Sequence, residues 1–376
     1  MVTDERRPTW ARVDPDALAS NFRTIKEKVK SQVKVMAVVK ADAYGHGAVQ
    51  CARRLEKEGA DWFGVALPEE GIELRQAGIT KPILSLGGFW KGQEQLCIKH
   101  KLTTVVYRID MVEALDRAAQ DAGVTADVHV KIDTGMGRLG IRPDAVPDFC
   151  EALRQFRSIR VDGLMTHFAA ADDPARDNFT AGQVKLFQES LEVFHERGFN
   201  IAHRHMANSA AAFAHPETHG NLVRPGGTLY GLRDTLPSGV KASGLRPVMS
   251  LHSRIMLLKR IEKGEHLGYG CTFEAARKTL VATLPVGYED GYPRAVSNNG
   301  QVIVRGAYAP VVGRVSMDLT SIDVTDVPGV AVDDQVTLLG RDGELSISAE
   351  DLAAKTGTIS YEITCGVSDR VPRIHV

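Results

Sequence analysis

The sequence predicts an α/β fold: an N-terminal TIM (β/α)8 barrel over residues 1–240, then a mainly β domain over residues 241–376. Three observations predict it. Eight short apolar, strand-like runs alternate with helical patterns through the first part of the chain, the budget of a (β/α)8 barrel. After Leu236 the texture changes to β-rich runs separated by glycine and Asn-Asn-Gly turns. The polar residues able to do chemistry fall at the carboxyl ends of the strand-like runs, where barrel enzymes build their sites.

The elements follow in order. Asp14-Pro15 supplies an N-cap acid and a proline at the first helical position. Leu18, Phe22, Ile25 and Val29 then give that helix one apolar face. Val35 to Val39 is a nearly all-apolar run, the pattern of a strand buried on both faces. Further strands are expected at Trp62 to Ala66, Pro82 to Leu86, Thr103 to Tyr107, Asp127 to Asp133, Val161 to His167, Arg204 to Met206 and Leu222 to Arg224. Helical patterns such as Met111 to Ala119 and Gln183 to Glu196 fill the gaps. Pro237 to Gly244 reads as a linker. Beyond it, β runs are expected at Val248 to Ile261, Leu280 to Val286, Gln301 to Arg305, Pro310 to Val324 and Gln335 to Leu339, with one helix from Ser348 to Lys355.

Composition excludes several classes. The formal net charge is -1, and no basic stripe points to nucleic acid or an anionic membrane. No apolar run is long enough to span a bilayer. The start, Met1 to Pro8, is too polar for a signal peptide. Cys51, Cys97, Cys150, Cys271 and Cys365 are odd in number and far apart, as expected of reduced thiols in a cytoplasmic protein. They show no metal-type clustering, so no metal is expected.

Lys40 ends the first barrel strand, where a buried sheet would meet a pocket. An amine desolvated there becomes nucleophilic near neutral pH, which a Schiff-base lysine requires. Taken by position alone, a strand-end lysine more often reaches to solvent. Tyr44, Gly45 and Gly47 follow in an expected loop before the next helix. Lys131 and Asp133 end strand five, with Arg138 just beyond; His167 ends strand six; His205, Asn208 and Ser209 follow strand seven; Arg224, Gly226 and Gly227 follow strand eight. The pieces after strands seven and eight form the usual phosphate corner of a barrel. There Ser209 opens a short helix, and the glycines permit close backbone approach. Gly135-Met-Gly-Arg-Leu-Gly140 spells the dinucleotide-binding glycine pattern, but Pro143 interrupts the helix that motif needs, and strand five does not open a βαβ fold.

Val38-Val-Lys40-Ala-Asp-Ala-Tyr44-Gly-His-Gly47 resembles the pyridoxal-phosphate attachment motif of the alanine racemase family. The resemblance continues through Arg7-Pro-Thr-Trp-Ala11, Asp133-Thr-Gly-Met-Gly-Arg138-Leu-Gly, Met165-Thr-His167-Phe-Ala, His205-Met-Ala-Asn208-Ser209-Ala-Ala, Arg224-Pro-Gly-Gly-Thr-Leu-Tyr-Gly231, Gly268-Tyr269-Gly, Val286-Gly-Tyr288-Glu-Asp-Gly-Tyr-Pro-Arg294, Gly313-Arg-Val-Ser-Met317-Asp318 and Arg370-Val-Pro-Arg373. It implies an amino-acid racemase using pyridoxal 5'-phosphate, with Lys40 as the attachment lysine and Tyr269 as the second base. It also implies that Tyr44, Ser209, Gly226, Gly227 and Tyr361 hold the phosphate, with Asn208 and His167 among the cofactor's neighbours. Arg224 would meet the ring nitrogen with His205 behind it. Arg138 and the Met317 N–H would take the substrate carboxylate. Lys131, carbamylated in some members, would buttress Arg138, and Tyr288 and Asp318 would support the entrance. Family members are head-to-tail homodimers in which each β domain caps the partner's barrel. Gly227 stands where a bulky aliphatic is common, and Cys271 follows the Tyr-Gly pair. Tyr361 and Lys131 match the alanine-type pattern.

Racemisation removes the α-proton on one face and returns it on the other, which two bases do directly. A phenol ordinarily ionises near pH 10, so a phenolate base needs help from its neighbours; His167 or Arg314 are the candidates. Arginine at the ring nitrogen disfavours ring protonation and restrains side reactions. The leading expectation is L- and D-alanine interconversion, with D-alanine destined for peptidoglycan. The alternative is a related racemase acting on serine or a broader range. Fold-related decarboxylases place an acid at the ring nitrogen, and single-domain cofactor-binding proteins of this barrel lack a β domain; Arg224 and residues 245–376 argue against both.

Overall fold

The computed structural model describes residues 7–240 and 244–376. Residues 1–6 of the chain's start and residues 241–243 of the expected linker, where the second domain was expected to begin, lie outside the described residues. The chain forms two compact units. One comprises Leu18–Ala43 and Ala48–Leu245; the other takes in β1 (Thr9–Val13), Tyr44–Gly47 and Arg246–Val376.

The first unit is the barrel. Its parallel strands are β2 (Lys34–Val38), β3 (Trp62–Val65), β4 (Ile83–Ser85), β5 (Thr103–Val106), β6 (Ala126–Lys131), β7 (Ile159–Met165), β8 (His203–His205) and β9 (Leu222–Val223). They are ordered β8-β7-β6-β5-β4-β3-β2-β9. Two backbone hydrogen bonds, Asn221 to Arg204 O at 3.1 Å and Arg224 to Ala207 O at 2.9 Å, bring the two ends together. The sheet therefore nearly closes. Strands buried on both faces need apolar side chains in both directions, which is why these segments read as runs. Met36, Trp62, Leu84, Val105, Met165 and Leu222, one each from β2, β3, β4, β5, β7 and β9, pack together inside. Each such side chain contributes about 1.5–3 kcal/mol. β6 and β8 add His129 and His205 instead, both fully buried.

The second unit holds two larger antiparallel-rich sheets and a hairpin. Its strands are β10 (Met249–Arg254), β11 (Leu257–Ile261), β12 (His266–Leu267), β13 (Phe273–Glu274), β14 (Thr279–Leu284), β15 (Gln301–Val304), β16 (Ala307–Pro310), β17 (Thr320–Asp323), β18 (Gln335–Asp342), β19 (Leu345–Ile347) and β20 (Arg373–His375). The larger sheet runs β16-β15-β18-β10-β1-β20 with β19 on β18; the smaller runs β11-β14-β17; β12 pairs β13. The run expected from Val248 to Ile261 is thus two strands. Ile255 N–H bonds Asp334 O at 3.0 Å and Met256 N–H bonds Thr283 O at 2.9 Å, so the chain changes sheets between adjacent residues. The run from Pro310 to Val324 is also divided. Its middle takes side-chain acceptors instead of a ladder: Gly313 N–H bonds Asn298 Oδ1 at 2.6 Å and Val315 N–H bonds Ser297 Oγ at 3.0 Å. The expected C-terminal helix is Ala349–Thr356, capped by Ser348. A further helix, Ser360–Cys365, was not foreseen. Among the described residues no helix is long and apolar enough to cross a membrane.

Candidate active site

β2 stops at Val38, and Lys40 opens the next element rather than ending the strand. That element, Lys40–Gly45, is a turn of left-handed helix, with φ of 52°, 51°, 54° and 56° at Ala41, Asp42, Ala43 and Tyr44. The expected loop is therefore regular but wound the wrong way for L-residues, at roughly 1–2 kcal/mol per residue. Within the barrel unit, Glu70 Oε1 accepts from Ala41 N–H at 2.6 Å, and Asp42 Oδ1 accepts from Ala48 N–H at 2.6 Å. These acceptors help hold a backbone that a free chain would abandon. Strain of this kind concentrates where side chains must be aimed.

The barrel mouth is rich in cations. His167 faces Arg224, Lys131, Arg138 and Lys40; its burial first, then these four charges, holds it neutral, well below the usual imidazole range. Lys131 is buried, and burial together with Arg224, Arg138 and Lys40 pushes it down to about 8, against the pull of Asp133. Asp133 itself accepts from Gly137 N–H at 2.9 Å and Gly135 N–H at 3.1 Å. Burial opposes its ionisation, but these bonds and Arg142 hold its carboxyl below the usual range. The glycine pattern is thereby explained without a dinucleotide. Gly140 has φ of 132°, and a side chain there would meet Asp133 N at 2.5 Å. No helix starts until Val146, apart from the single 3-10 turn Pro143–Ala145.

Arg224 is held by five hydrogen bonds. Burial pushes it down to about 9. Its Nη1 donates to His205 Nδ1 at 3.0 Å and His205 O at 2.8 Å; its Nη2 donates to Thr166 O at 2.6 Å, Met206 O at 2.9 Å and His167 Nδ1 at 3.3 Å. Its Nε–H is the donor left over among the described residues. At the phosphate corner, Asn208 caps the helix Ser209–Ala214, accepting from Ala211 N–H at 3.0 Å. Ser209 Oγ accepts from Gly226 N–H at 2.9 Å. Gly227 N–H takes no partner among the described residues. The mouth thus offers spare donors and four cations, so it fits an anionic ligand with a ring acceptor.

The second unit holds the remaining expected residues. Tyr44 and Tyr361 lie ring to ring, centroids 5.5 Å apart. Burial first, then Tyr361 and Cys365, raises the Tyr44 phenol far above its ordinary value. Tyr269 is three-quarters exposed and sits between Gly268 and Gly270, both at positive φ. It lines one open cleft with Tyr288, Arg294, Arg314, Met317 and Asp318. Asp318 accepts from Arg370 at 2.7 Å, and Arg370 also lies 3.6 Å from the buried Asp290, which pairs with Arg7. Arg294, Asp290 and Arg370 carry no role in the sequence reading, although all three stand inside the motifs Val286 to Arg294 and Arg370 to Arg373, which was the available signal. His129, in hydrogen bond with His205 at 2.8 Å, was also missed, because one histidine in an apolar strand reads as core.

A barrel with a cationic mouth suited to an anionic ligand, joined to a second, mainly β unit, is the class these features define. The family models for the alanine racemase N-terminal and C-terminal domains match residues 13–234 and 248–375. An alanine racemase of Halothermothrix orenii is 45% identical over 367 residues, spanning 98% of this chain and 96% of that one. The structure of an alanine racemase from Clostridium difficile 630 superposes with a TM-score of 0.93 at 38% identity, covering 100% of this chain and 97% of that chain. The Bartonella henselae alanine racemase, solved with covalently bound pyridoxal phosphate, gives 0.88 at 27% identity, covering 98% and 99%. The chain belongs to the alanine racemase family. It is an amino-acid racemase, an isomerase by reaction class.

Proposed function

We propose that this enzyme interconverts L- and D-alanine with pyridoxal 5'-phosphate held on Lys40, as a cytoplasmic homodimer that supplies D-alanine for peptidoglycan. The observation that carries this reading is the barrel mouth, where His167 faces four cations and Arg224 has one unused N–H. Such a mouth suits a phosphorylated pyridine and a substrate carboxylate together. The five scattered cysteines, none of them in a disulfide, support a reducing compartment. The deciding experiment is incubation with L-alanine and the cofactor, followed by chiral analysis of the product. An amino-acid panel including serine then sets the substrate range.

In this reading Ser209, Gly226, Gly227, Tyr44 and Tyr361 hold the phosphate, with Asn208 shaping the corner. When bound, the cofactor supplies an electron sink that acidifies the α-C–H of an amino acid. Lys40 Nζ moves the proton on one face, and the Tyr269 phenol moves it on the other. With His167 held neutral, Arg314 is a cation placed to assist Tyr269; its guanidinium lies within 3.7 Å of where a side chain on Gly270 would sit. Arg138 and the Met317 N–H orient the substrate carboxylate, and Tyr288 and Asp318 shape the approach.

Arg224 keeps the ring nitrogen unprotonated, since a fixed cation opposes a second positive charge. Arg224→Glu should slow racemisation by about 10- to 100-fold while raising the share of turnovers lost to transamination. Pyridoxamine phosphate accumulation measures this, relative to racemisation. No rise in that ratio would contradict the role given to Arg224.

Lys131 orients Arg138, and an amine pushed down to about 8 leaves a neutral fraction open to carbamylation. Lys131→Ala should raise KM for alanine about 10-fold and leave cofactor affinity within about 2-fold. Equal loss of cofactor affinity, read by fluorescence titration, would remove Lys131 from the substrate side.

A further inference from the structure

We propose that His129 and Asp162 are positioning residues for Arg224, acting through His205 in a one-way chain of hydrogen-bond donors that runs Arg224 to His205 to His129 and points at Asp162. The inference rests on the reading above only in taking Arg224 as the group that serves the cofactor ring.

The direction of the chain follows from donor chemistry. A guanidinium has no acceptor. Arg224 Nη1 lies 3.0 Å from His205 Nδ1, so that nitrogen is unprotonated and accepts. His205 is then the neutral Nε2–H tautomer. Its Nε2 lies 2.8 Å from His129 Nδ1, which must therefore accept in turn. His129 is fixed by the same rule as an Nε2–H tautomer. That N–H has no hydrogen-bond acceptor within reach among the described residues. The nearest charged group is Asp162 Oδ2 at 3.8 Å, longer than a hydrogen bond, so the attraction is of an N–H dipole for a carboxylate. The two ends agree independently: a pure donor stands at one and an anion at the other. Reversing any link would set donor against donor at Arg224.

The backbone is shaped for this arrangement. β6 and β7 change register between Val128 and His129: Val128 pairs Val161, but His129 pairs Gly163. The extra residue on β7 is Asp162. Bulges of this kind re-aim side chains. A side chain at Gly163 would stand 2.6 Å from the His129 ring, so only glycine leaves room for the imidazole. Trp62 closes the other side, 5.3 Å from His129 and 5.1 Å from His203 between ring centroids. The chain therefore runs through an apolar layer, where hydrogen bonds polarise one another and an unpaired donor is costly.

The charged and titratable groups facing the pair are Arg224 at one end and Asp162, Asp127 and His203 at the other. Arg160 Nε lies 3.9 Å from Asp162 Oδ1, and His203 Nε2 lies 3.5 Å from Asp162 Oδ2, the oxygen that His129 approaches. Burial, then Arg224, holds His205 neutral, and burial holds His129 below its ordinary value despite Asp162.

The test uses the cofactor-loaded enzyme labelled with nitrogen-15 histidine, with His129→Asn to assign the ring signals. In the wild type both rings should show bare Nδ1 and protonated Nε2, unchanged from about pH 6 to about pH 9. An Nδ1–H or an imidazolium at either ring overturns the proposal, whatever the racemase assay shows. The variants give a second readout. His129→Leu removes the acceptor and should lower kcat about 10-fold, with KM for alanine within about 2-fold, and shift the bound cofactor's absorption band. His129→Asn, whose Oδ1 can accept from His205, should recover kcat to within about 3-fold of wild type and restore the band. Equal loss in both variants means that the ring only fills space, and overturns the proposal. Asp162→Asn should move the band in the same direction by less, and an unmoved band removes Asp162 from the chain. Should His129→Leu fail to fold, the wild-type tautomers decide alone. A wild type inactive on alanine but with these tautomers would instead count against the functional reading.

Discussion

Lys40→Ala should lose essentially all racemase activity, by about a thousand-fold or more, because the attachment lysine and one of the two bases vanish together. The structure makes this a choice between two amines. Lys131 too stands at the mouth, more deeply buried than Lys40, and its value near 8 gives it nucleophilic character of its own. What separates them is position. Lys40 opens the left-handed turn after the buried strand β2, a turn held by Glu70, which accepts from Ala41 N–H, and by Asp42, which accepts from Ala48 N–H. Lys131 closes β6 as a strand residue, with Arg224, Arg138 and Asp133 around it. The wild-type enzyme loaded with cofactor should absorb at the violet edge of the visible range. Borohydride should abolish that band and fix the label on Lys40. Label on Lys131 would exchange the two roles, and label elsewhere would end the assignment. Lys131→Ala provides the internal control, since it should keep the band.

The barrel was legible because a strand buried on both faces has no choice but to be apolar. Trp62–Val65 and Thr103–Val106 fall where expected, with boundaries moved by a residue or so. The polar residues at the strand ends stood out against that background, and His167, Lys131 and Arg224 do face one another. The turn after β2 was not legible. Left-handed φ at Ala41, Asp42, Ala43 and Tyr44 contradicts the preference of every one of those residues, so propensity points away from it. The β unit was less legible than the barrel. A run such as Val248 to Ile261 stays β throughout while its chain leaves one sheet for another, and alternation cannot show which partner a strand takes. The helix Ser360–Cys365, which carries Tyr361, is too short to display a period. β1 overlaps a motif, Arg7 to Ala11, that was read only for its resemblance and given no strand. The bulge that inserts Asp162 beside His129 depends on pairing between strands, and no local pattern announces it.

Mixing Lys40→Ala with Tyr269→Phe should restore activity that neither variant has alone. The proposal behind this is that Tyr269 of one subunit serves the site built on the partner's Lys40. Two features support it. Tyr269 belongs to the β unit and Lys40 to the barrel unit, so they are separate modules of the chain. Tyr269 also stands three-quarters exposed on the cleft of its own unit, an unusual setting for a tyrosine that only stabilises a fold. A two-fold dimer with exchanged units has two equivalent composite sites. In a mixed dimer, a shared arrangement collects both lesions in one site and leaves the other whole. Random exchange at equal amounts makes half the dimers mixed, each with one intact site, so about a quarter of all sites should recover. If each site is instead built within one chain, every site keeps one lesion and nothing recovers. Native mass spectrometry establishes that mixed dimers have formed, and chiral analysis of alanine turnover then reads the outcome. Mixed dimers that form and stay inactive would falsify the shared site and return Tyr269 to the chain that carries it.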